Sequence, residues 1–534
     1  MVWFQTEPLF AIYGAIGGVA VFYGLCSSIL KRYLFISEIV VSLSAGIILG
    51  GFPSNLYSYV EVDEWFQDVT RERVLEEVAR LGIAIQLMAT ALRVYHKGRW
   101  PYWKSLFVLL LPVMTLSWLS SGLLAWGLLK GFNIWEGLLV GSFAAPTDPV
   151  IAASIITGTF ATQKVTYGIR TIISTESGVN DGLAYPFVLL PIVFITRSPG
   201  DALLHWFLVV ILYEVGVALI AGALIGLLIG WLLRWSEKLQ MIDKPSLLGF
   251  SLALSLLVLG VLQILRTDAI LAVFTAGLGF AHTLPIAERF TEESIQETVD
   301  TLFTTTTFVL LGVGIPWNGW GELGWRGPVL SLLVLVFKRV PFVLLFAWFL
   351  RPPVEAISEA LYLGWFGPMG VAAVFYGALA SRLTEEDSDN SELFFPIATQ
   401  FMVFSVIIHG TTAGPLTYLL AWIHPPAADA DQQRRKKELE AEEEEEEGIP
   451  PRNIGSKSPP PSPSPSSDDD HSPRGGIRAR DTRRSHVEER SDENDKEEEK
   501  EKQKEADKRE EEEKERARKP TEADAGDEPE IETG

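Results

Sequence analysis

Gly137-Leu-Leu-Val-Gly-Ser-Phe-Ala-Ala-Pro146-Thr147-Asp148-Pro149-Val-Ile-Ala-Ala-Ser-Ile-Ile156 is the stretch whose reading decides the fold. It has the length and apolar character to cross a bilayer, about 20 residues. Yet it carries a carboxylate and two prolines at its centre. Proline donates no backbone hydrogen bond and disfavours helix at the residue before it. Pro146 and Pro149 therefore predict two half-helices joined by an unwound stretch. Such backbone is tolerated at that depth only where it lines a cavity or is buried in protein.

The next apolar stretch, residues 172–194, holds Glu176-Ser177-Gly178-Val179-Asn180-Asp181-Gly182. An ionised group inside a membrane is costly without a partner, water or an ion, so Asp148, Glu176 and Asp181 mark a functional site. Glu176 and Asn180 are four apart and share a helix face, as do Ser177 and Asp181. Carboxylates, hydroxyls, an amide and freed carbonyls make a hard-oxygen pocket, which suits hard cations or protons rather than soft metals.

Thr147-Asp148-Pro149-Val150 followed by Glu176 to Gly182 resembles the monovalent cation/proton antiporter superfamily, and the Asn180-Asp181 pair its sodium/proton exchanger branch. Gly364-Trp-Phe-Gly367-Pro368-Met369-Gly370-Val371 is similar to the fungal plasma-membrane sodium/proton antiporters. The likeness covers roughly residues 10–424. It implies a bundle with two crossed broken helices beside a dimerisation panel, hence a homodimer, in the plasma membrane. It also implies that an arginine of the eleventh span pairs with Glu176. Arg339 is the expected partner and Lys338 the alternate. Where many exchangers have Gly-Leu-Arg-Gly, this chain has Pro368-Met369-Gly370. Gln86 is the nearest polar residue where some relatives place an acidic one in the third span.

Composition divides the 534 residues in two. Residues 425–534 hold 36 acidic and 22 basic side chains, which supply most of the net charge of −22. That segment cannot bury enough apolar surface to order itself and is expected to be a disordered acidic tail. The acidic balance therefore says little about ligands, and no nucleic acid is expected. Residues 1–424 form the membrane domain. Cys26 is the single cysteine, so no intrachain disulfide is possible. The first apolar run reads as a retained span rather than a cleaved signal.

The fold class expected is an all-α polytopic membrane protein of about thirteen transmembrane helices with inverted repeats and two crossed broken helices. The spans fall near 9–29, 34–52, 74–95, 105–127, 134–157, 169–196, 203–234, 246–265, 268–283, 299–316, 328–350, 356–381 and 393–422. Residues 285–297 read as a polar surface segment. Interruptions in the fifth and twelfth spans, at Pro146–Pro149 and Gly367–Gly370, occupy matching places in two halves, as in repeat-built transporters. Alternate loops carry thirteen and seven Lys or Arg residues. The positive-inside rule then puts the N-terminus outside and the tail in the cytoplasm. Arg434–Lys437 could touch anionic lipid, and the Ser-Pro steps of 456–473 could take kinases or regulatory partners.

The function expected is exchange of a monovalent cation for H⁺. Na⁺ is the first choice and K⁺ or Li⁺ are further candidates. Asp181 and Asp148 would hold Na⁺ or the proton, with Thr147 and Ser177 as further ligands. Asn180, Glu176 and Arg339 would form the supporting network. Pro146, Pro149, Gly367 and Pro368 would shape the broken backbone. His409 reads as a packing histidine, and Thr304–Thr307 as interhelical hydrogen bonding. No cofactor and no enzymatic activity are expected. A channel, an intramembrane protease and a signalling transceptor are the rival classes. The first lacks its rings of charge and the second its Tyr-Asp and Gly-x-Gly-Asp contexts.

Overall fold

A computed structural model describes residues 8–30, 37–51, 71–96, 102–156, 165–239, 241, 249–283 and 301–423. The expected tail and the segment 285–297 lie outside the described residues. Among the described residues there are helices and connections but no strand. In order run α1 (Pro8–Ile29), α2 (Glu38–Gly51), α3 (Arg71–His96), α4 (Trp103–Leu128), α5 (Ile134–Phe143), α6 (Pro149–Ile156), α7 (Tyr167–Leu183), α8 (Tyr185–Thr196) and α9 (Pro199–Lys238). Then follow α10 (Phe250–Ile264), α11 (Ala269–Thr283), α12 (Thr301–Val313), α13 (Trp317–Leu323), α14 (Arg326–Phe337), α15 (Val340–Leu345), α16 (Ile357–Trp365), α17 (Val371–Leu383) and α18 (Ser391–Ile423).

Five helical stretches among the described residues are long and apolar enough to cross a membrane: Trp103–Leu128, Gly168–Thr196, Pro199–Lys238, Arg326–Leu345 and Ser391–Leu419. The third of these runs beyond the expected 203–234. Its 40 residues would span about 60 Å, twice a hydrocarbon core, so it must tilt or project beyond it. Its outward face carries Phe207, Leu212, Leu224, Leu228 and Trp231, all exposed. Such a face suits lipid.

The fifth and twelfth expected spans are each two helices. Residues 144–148 separate α5 from α6, and residues 366–370 separate α16 from α17. A third break was not anticipated. The stretch 328–350 interrupts at Lys338 and Arg339, between α14 and α15. Pro341 is the cause, since it has no N–H for the Phe337 carbonyl. The Ser120 hydroxyl reaches that carbonyl at 3.4 Å instead. The break frees two adjacent cationic side chains to turn inward.

Packing divides into two apolar clusters. The larger draws on α4 to α8 and α14 to α18. The smaller is built by α3, α9, α10 and α11. Helix α3 is their shared wall. Leu75, Ala79, Ile83, Leu87 and Ala91 recur every fourth residue toward the larger cluster, and Ala84, Met88 and Leu92 toward the smaller. Within the smaller cluster, Gly222 and Gly226 of α9 let it lie against the backbone of Ala272 and Ala276 on α11. That is the small-residue contact by which membrane helices approach closely.

Candidate functional site

The two breaks meet each other. The Asp148 N–H donates to the Pro368 carbonyl at 2.8 Å. Asp148 Oδ1 accepts from the N–H groups of Val150 and Ile151, both at 2.9 Å. Its Oδ2 accepts from the Val371 N–H at 3.0 Å. One carboxylate thus caps two helix N-termini, those of α6 and α17, where orphan donors and partial positive charge gather. The approach requires glycine at 370, because a Cβ there would stand 1.9 Å from Asp148 Oδ2.

The C-terminal ends of the other two half-helices, α5 and α16, receive cations. Lys338 Nζ donates to the Ala144 carbonyl at the end of α5, at 3.1 Å. Arg339 Nε donates to the Leu363 carbonyl in the last turn of α16, at 3.1 Å. Both placements oppose positive charge to the negative end of a helix dipole. The remaining Arg339 nitrogens grip Glu176: Nη1 donates to Oε1 and Nη2 to Oε2, the latter at 2.6 Å. Both residues are buried, 5% and 3% exposed.

Helix α7 presents two faces here, as its four-residue spacing requires. On one, Glu176 holds Arg339, and Asn180 holds the unwound Thr147. The Thr147 N–H donates to Asn180 Oδ1 at 3.2 Å, and Asn180 Nδ2 donates to Thr147 Oγ1 at 2.7 Å. Thr147, Glu176, Asn180, Lys338 and Arg339 border a cavity of about 10 Å³. That is room for about one water. On the other face sit Ser177 and Asp181. The Ser177 hydroxyl donates to the Ile173 carbonyl of its own helix at 2.6 Å. Asp181 is 1% exposed, and its Oδ1 has no hydrogen-bond partner. Its backbone carbonyl accepts from the Tyr376 hydroxyl at 2.6 Å. Asp148 lies within electrostatic range of it.

Helix α18 steadies the second break from behind. The Met369 N–H donates to Ser405 Oγ at 2.6 Å, and Ser405 Oγ lies 3.0 Å from His409 Nδ1. His409 Nε2 is 3.0 Å from the Trp365 carbonyl and Nδ1 is 3.1 Å from the Ser405 carbonyl, so either ring nitrogen has a carbonyl to donate to. His409 is fully buried and packs beside Trp365 and Phe366. On α3, Gln86 donates to Thr304 at 3.4 Å, and Thr305 donates to Glu38 of α2.

Residues 18–419 match the family described as "Sodium/hydrogen exchanger, transmembrane". The chain belongs to this family. Among sodium/hydrogen exchanger relatives it is 32% identical over 448 residues to the Na(+)/H(+) antiporter of Saccharomyces cerevisiae. It is 33% identical over 446 residues to Na(+)/H(+) antiporter 2 of Zygosaccharomyces rouxii. These alignments cover 78% and 77% of this chain but only 44% and 53% of the relatives, so it spans about half their length. Against the Na(+)/H(+) antiporter of Schizosaccharomyces pombe, 30% identity over 413 residues covers 74% of this chain and 87% of that protein. The fold matches the sodium proton antiporter MjNhaP1 from Methanocaldococcus jannaschii with a TM-score of 0.56, covering 77% of this chain and 99% of that one at 20% identity.

In this exchanger-family chain, Thr147, Asp148, Glu176, Asn180, Arg339 and Gly367 converge on the crossing, while Ser177 and Asp181 share the neighbouring α7 face. Sequence reading missed the role of Lys338 at the end of α5 and the Met369–Ser405–His409 chain. It also missed Glu214, Asp268, Tyr185 and Tyr376, which gather on the Asp181 side of α7. A carboxylate inside an apolar run at Glu214, and Asp268 before the apolar run of α11, were the available signals.

Proposed function

We propose that this chain exchanges Na⁺ for H⁺ across a membrane, with K⁺ and Li⁺ as further candidate cargo, through competition at Asp181. One observation carries the reading. Asp148 and Glu176 have both carboxylate oxygens engaged. Asp181, equally buried, keeps Oδ1 without a partner. A free buried carboxylate oxygen among hard-oxygen neighbours is a seat for one positive charge. A proton and a metal ion cannot both occupy it, and that exclusion couples their movements.

The neighbouring groups take supporting roles in this reading. Thr147 and Ser177 offer further oxygens to the cation. Asp148 supplies negative charge from the crossing, and Asn180 holds Thr147 in register. The Glu176–Arg339 pair and Lys338 balance the charge of the broken helices. Cargo neutralises Asp181 and lets it travel through apolar surroundings; an empty, ionised carboxylate is held back by desolvation. The moving part would be the bundle that holds the two broken helices. It would slide where Gly178 of α7 meets Thr90 and Phe274, and where Gly182 meets Leu271, a shear of packed helices.

The same reading has thirteen crossings in two inverted halves, N-terminus outside and tail in the cytoplasm, in a plasma-membrane homodimer. It includes no cofactor and no enzymatic chemistry. The acidic tail would meet kinases or regulatory proteins. The test is a pH-sensitive dye inside sealed vesicles bearing the full chain, with Na⁺, K⁺ and Li⁺ added in turn. Cation-driven dequenching is expected from the wild type and lost in Asp181→Asn. Dequenching retained in Asp181→Asn refutes the assignment.

A further inference from the structure

Asp268, buried, and Glu214, half-buried, make a second set of carboxylates, away from the crossing. Asp268 precedes α11 and caps it, with Oδ1 accepting from the Leu271 N–H at 3.1 Å. Capping uses one oxygen. The other, Oδ2, is buried without a hydrogen-bond partner, and the residue is 2% exposed. Glu214 lies beside it on α9, where its backbone carbonyl accepts from the Asp268 N–H at 3.2 Å. Glu214 Oε2 is likewise buried and unpartnered. The charged neighbour acting on Asp268 is Glu214, another anion. The Tyr185 phenol faces Glu214. Arg80 is in electrostatic range of Tyr185, and its guanidinium is tied to Glu76 at 2.6 Å and Glu77 at 3.1 Å.

Two carboxylates side by side, each with one buried and unfilled oxygen, call for a positive charge between them. The tight α9–α11 packing holds the pair together as one unit. Asp181 is close by. Gly182, next to Asp181, rests on Leu271, three residues into the helix from Asp268. Tyr376 sits between them: its hydroxyl donates to the Asp181 carbonyl, and it lies within electrostatic range of Asp181, Asp268 and Tyr185. Tyr185 packs against both apolar clusters and so stands at their seam.

We propose that Glu214 and Asp268, with the Tyr185 hydroxyl, form a second binding site for one monovalent alkali cation, a waiting position between Asp181 and the end of the molecule at which α11 begins. This rests on the reading that the chain carries such cations. A cation there satisfies Asp268 Oδ2 and Glu214 Oε2 together, and Tyr185 adds a neutral oxygen. Tyr376 marks the step across the seam to Asp181.

The test is direct binding of ²²Na⁺ to detergent-purified full-length protein, with gel-filtration profiles as the folding control. Wild type binds Na⁺, and Asp181→Asn still binds it. Adding Asp268→Asn or Glu214→Gln to Asp181→Asn weakens that remaining binding at least tenfold. Asn at 268 keeps an oxygen for the Leu271 cap, and Glu214→Gln serves where that variant fails to fold. Wild type that binds while Asp181→Asn binds nothing overturns the second site and leaves the exchange reading standing, as does remaining binding that neither further substitution weakens. Such results describe a pair that holds only a proton, or none. Wild type that binds no alkali cation overturns the exchange reading, and this proposal with it.

Discussion

Replacing Arg339 by methionine strands a buried carboxylate. Glu176 is 3% exposed and has both oxygens on the Arg339 guanidinium. Removing one partner of a buried pair costs about 3–5 kcal/mol, because the remaining charge is left without solvent or counter-ion. Lys338 is in electrostatic range of Glu176 and can compensate in part. Arg339→Met should therefore fall near the lower end of that range. Glu176→Gln is the worse perturbation. It leaves Lys338 and Arg339, 2% and 5% exposed, side by side without the carboxylate that pairs Arg339, and should fall near the upper end. The double variant should recover part of the sum, since neither charge is then orphaned. The assay is reversible unfolding in mixed detergent–SDS micelles, followed by circular dichroism, for wild type, both single variants and the double. A coupling between the two sites below about 1 kcal/mol refutes the reasoning. So does Arg339→Met proving more damaging than Glu176→Gln, because the charge count around the cavity would then be wrong.

Gly370→Ala should abolish cation-driven proton movement while leaving the protein membrane-inserted. Its Cβ would stand 1.9 Å from Asp148 Oδ2 and must expel that carboxylate from the N-terminus of α17; vesicle flux at wild-type levels would contradict this. Ser405→Ala removes the acceptor of the buried Met369 N–H and should destabilise the second break by about 1–3 kcal/mol, measured by the same micelle unfolding. Competition for one carboxylate has a fixed sign with pH. Lowering pH should raise the half-saturating Na⁺ concentration, approaching about tenfold per unit where the proton dominates, and a half-saturation constant independent of pH would count against a shared seat. In the outer network, Glu76 is 1% exposed and bonds Arg80 and Arg382. Arg382 is 41% exposed, so Arg382→Gln should cost less than about 1 kcal/mol, and Glu76→Gln clearly more, since it deprives the buried Arg80 of its closest partner.

Much of the site was legible from local chemistry. Pro146 and Pro149 announce the first break because proline's missing donor and its steric effect act within a few residues. Glu176 and Asn180, and Ser177 and Asp181, declare their shared faces because helix geometry alone sets which residues lie together. A buried charge announces itself because no neighbour on its own helix can neutralise it. The break at Lys338–Arg339 was less legible. Pro341 was visible, but whether a proline kinks a helix or opens it depends on what else reaches the freed Phe337 carbonyl, and that is Ser120 of another helix.

By itself, then, the chain determined where helices run, where two of them must fail, and which side chains cannot rest in lipid unaided. Those properties follow from hydrophobicity, backbone donors and a 3.6-residue period, all of which operate over one or two turns. Partnership was decided only in three dimensions. That Arg339 rather than Lys338 takes Glu176, that Asp148 caps α6 and α17 together, and that Glu214 stands beside Asp268 across 54 positions depend on how helices distant in sequence pack. Direction and distance between charges set those energies, and neither exists until the bundle closes.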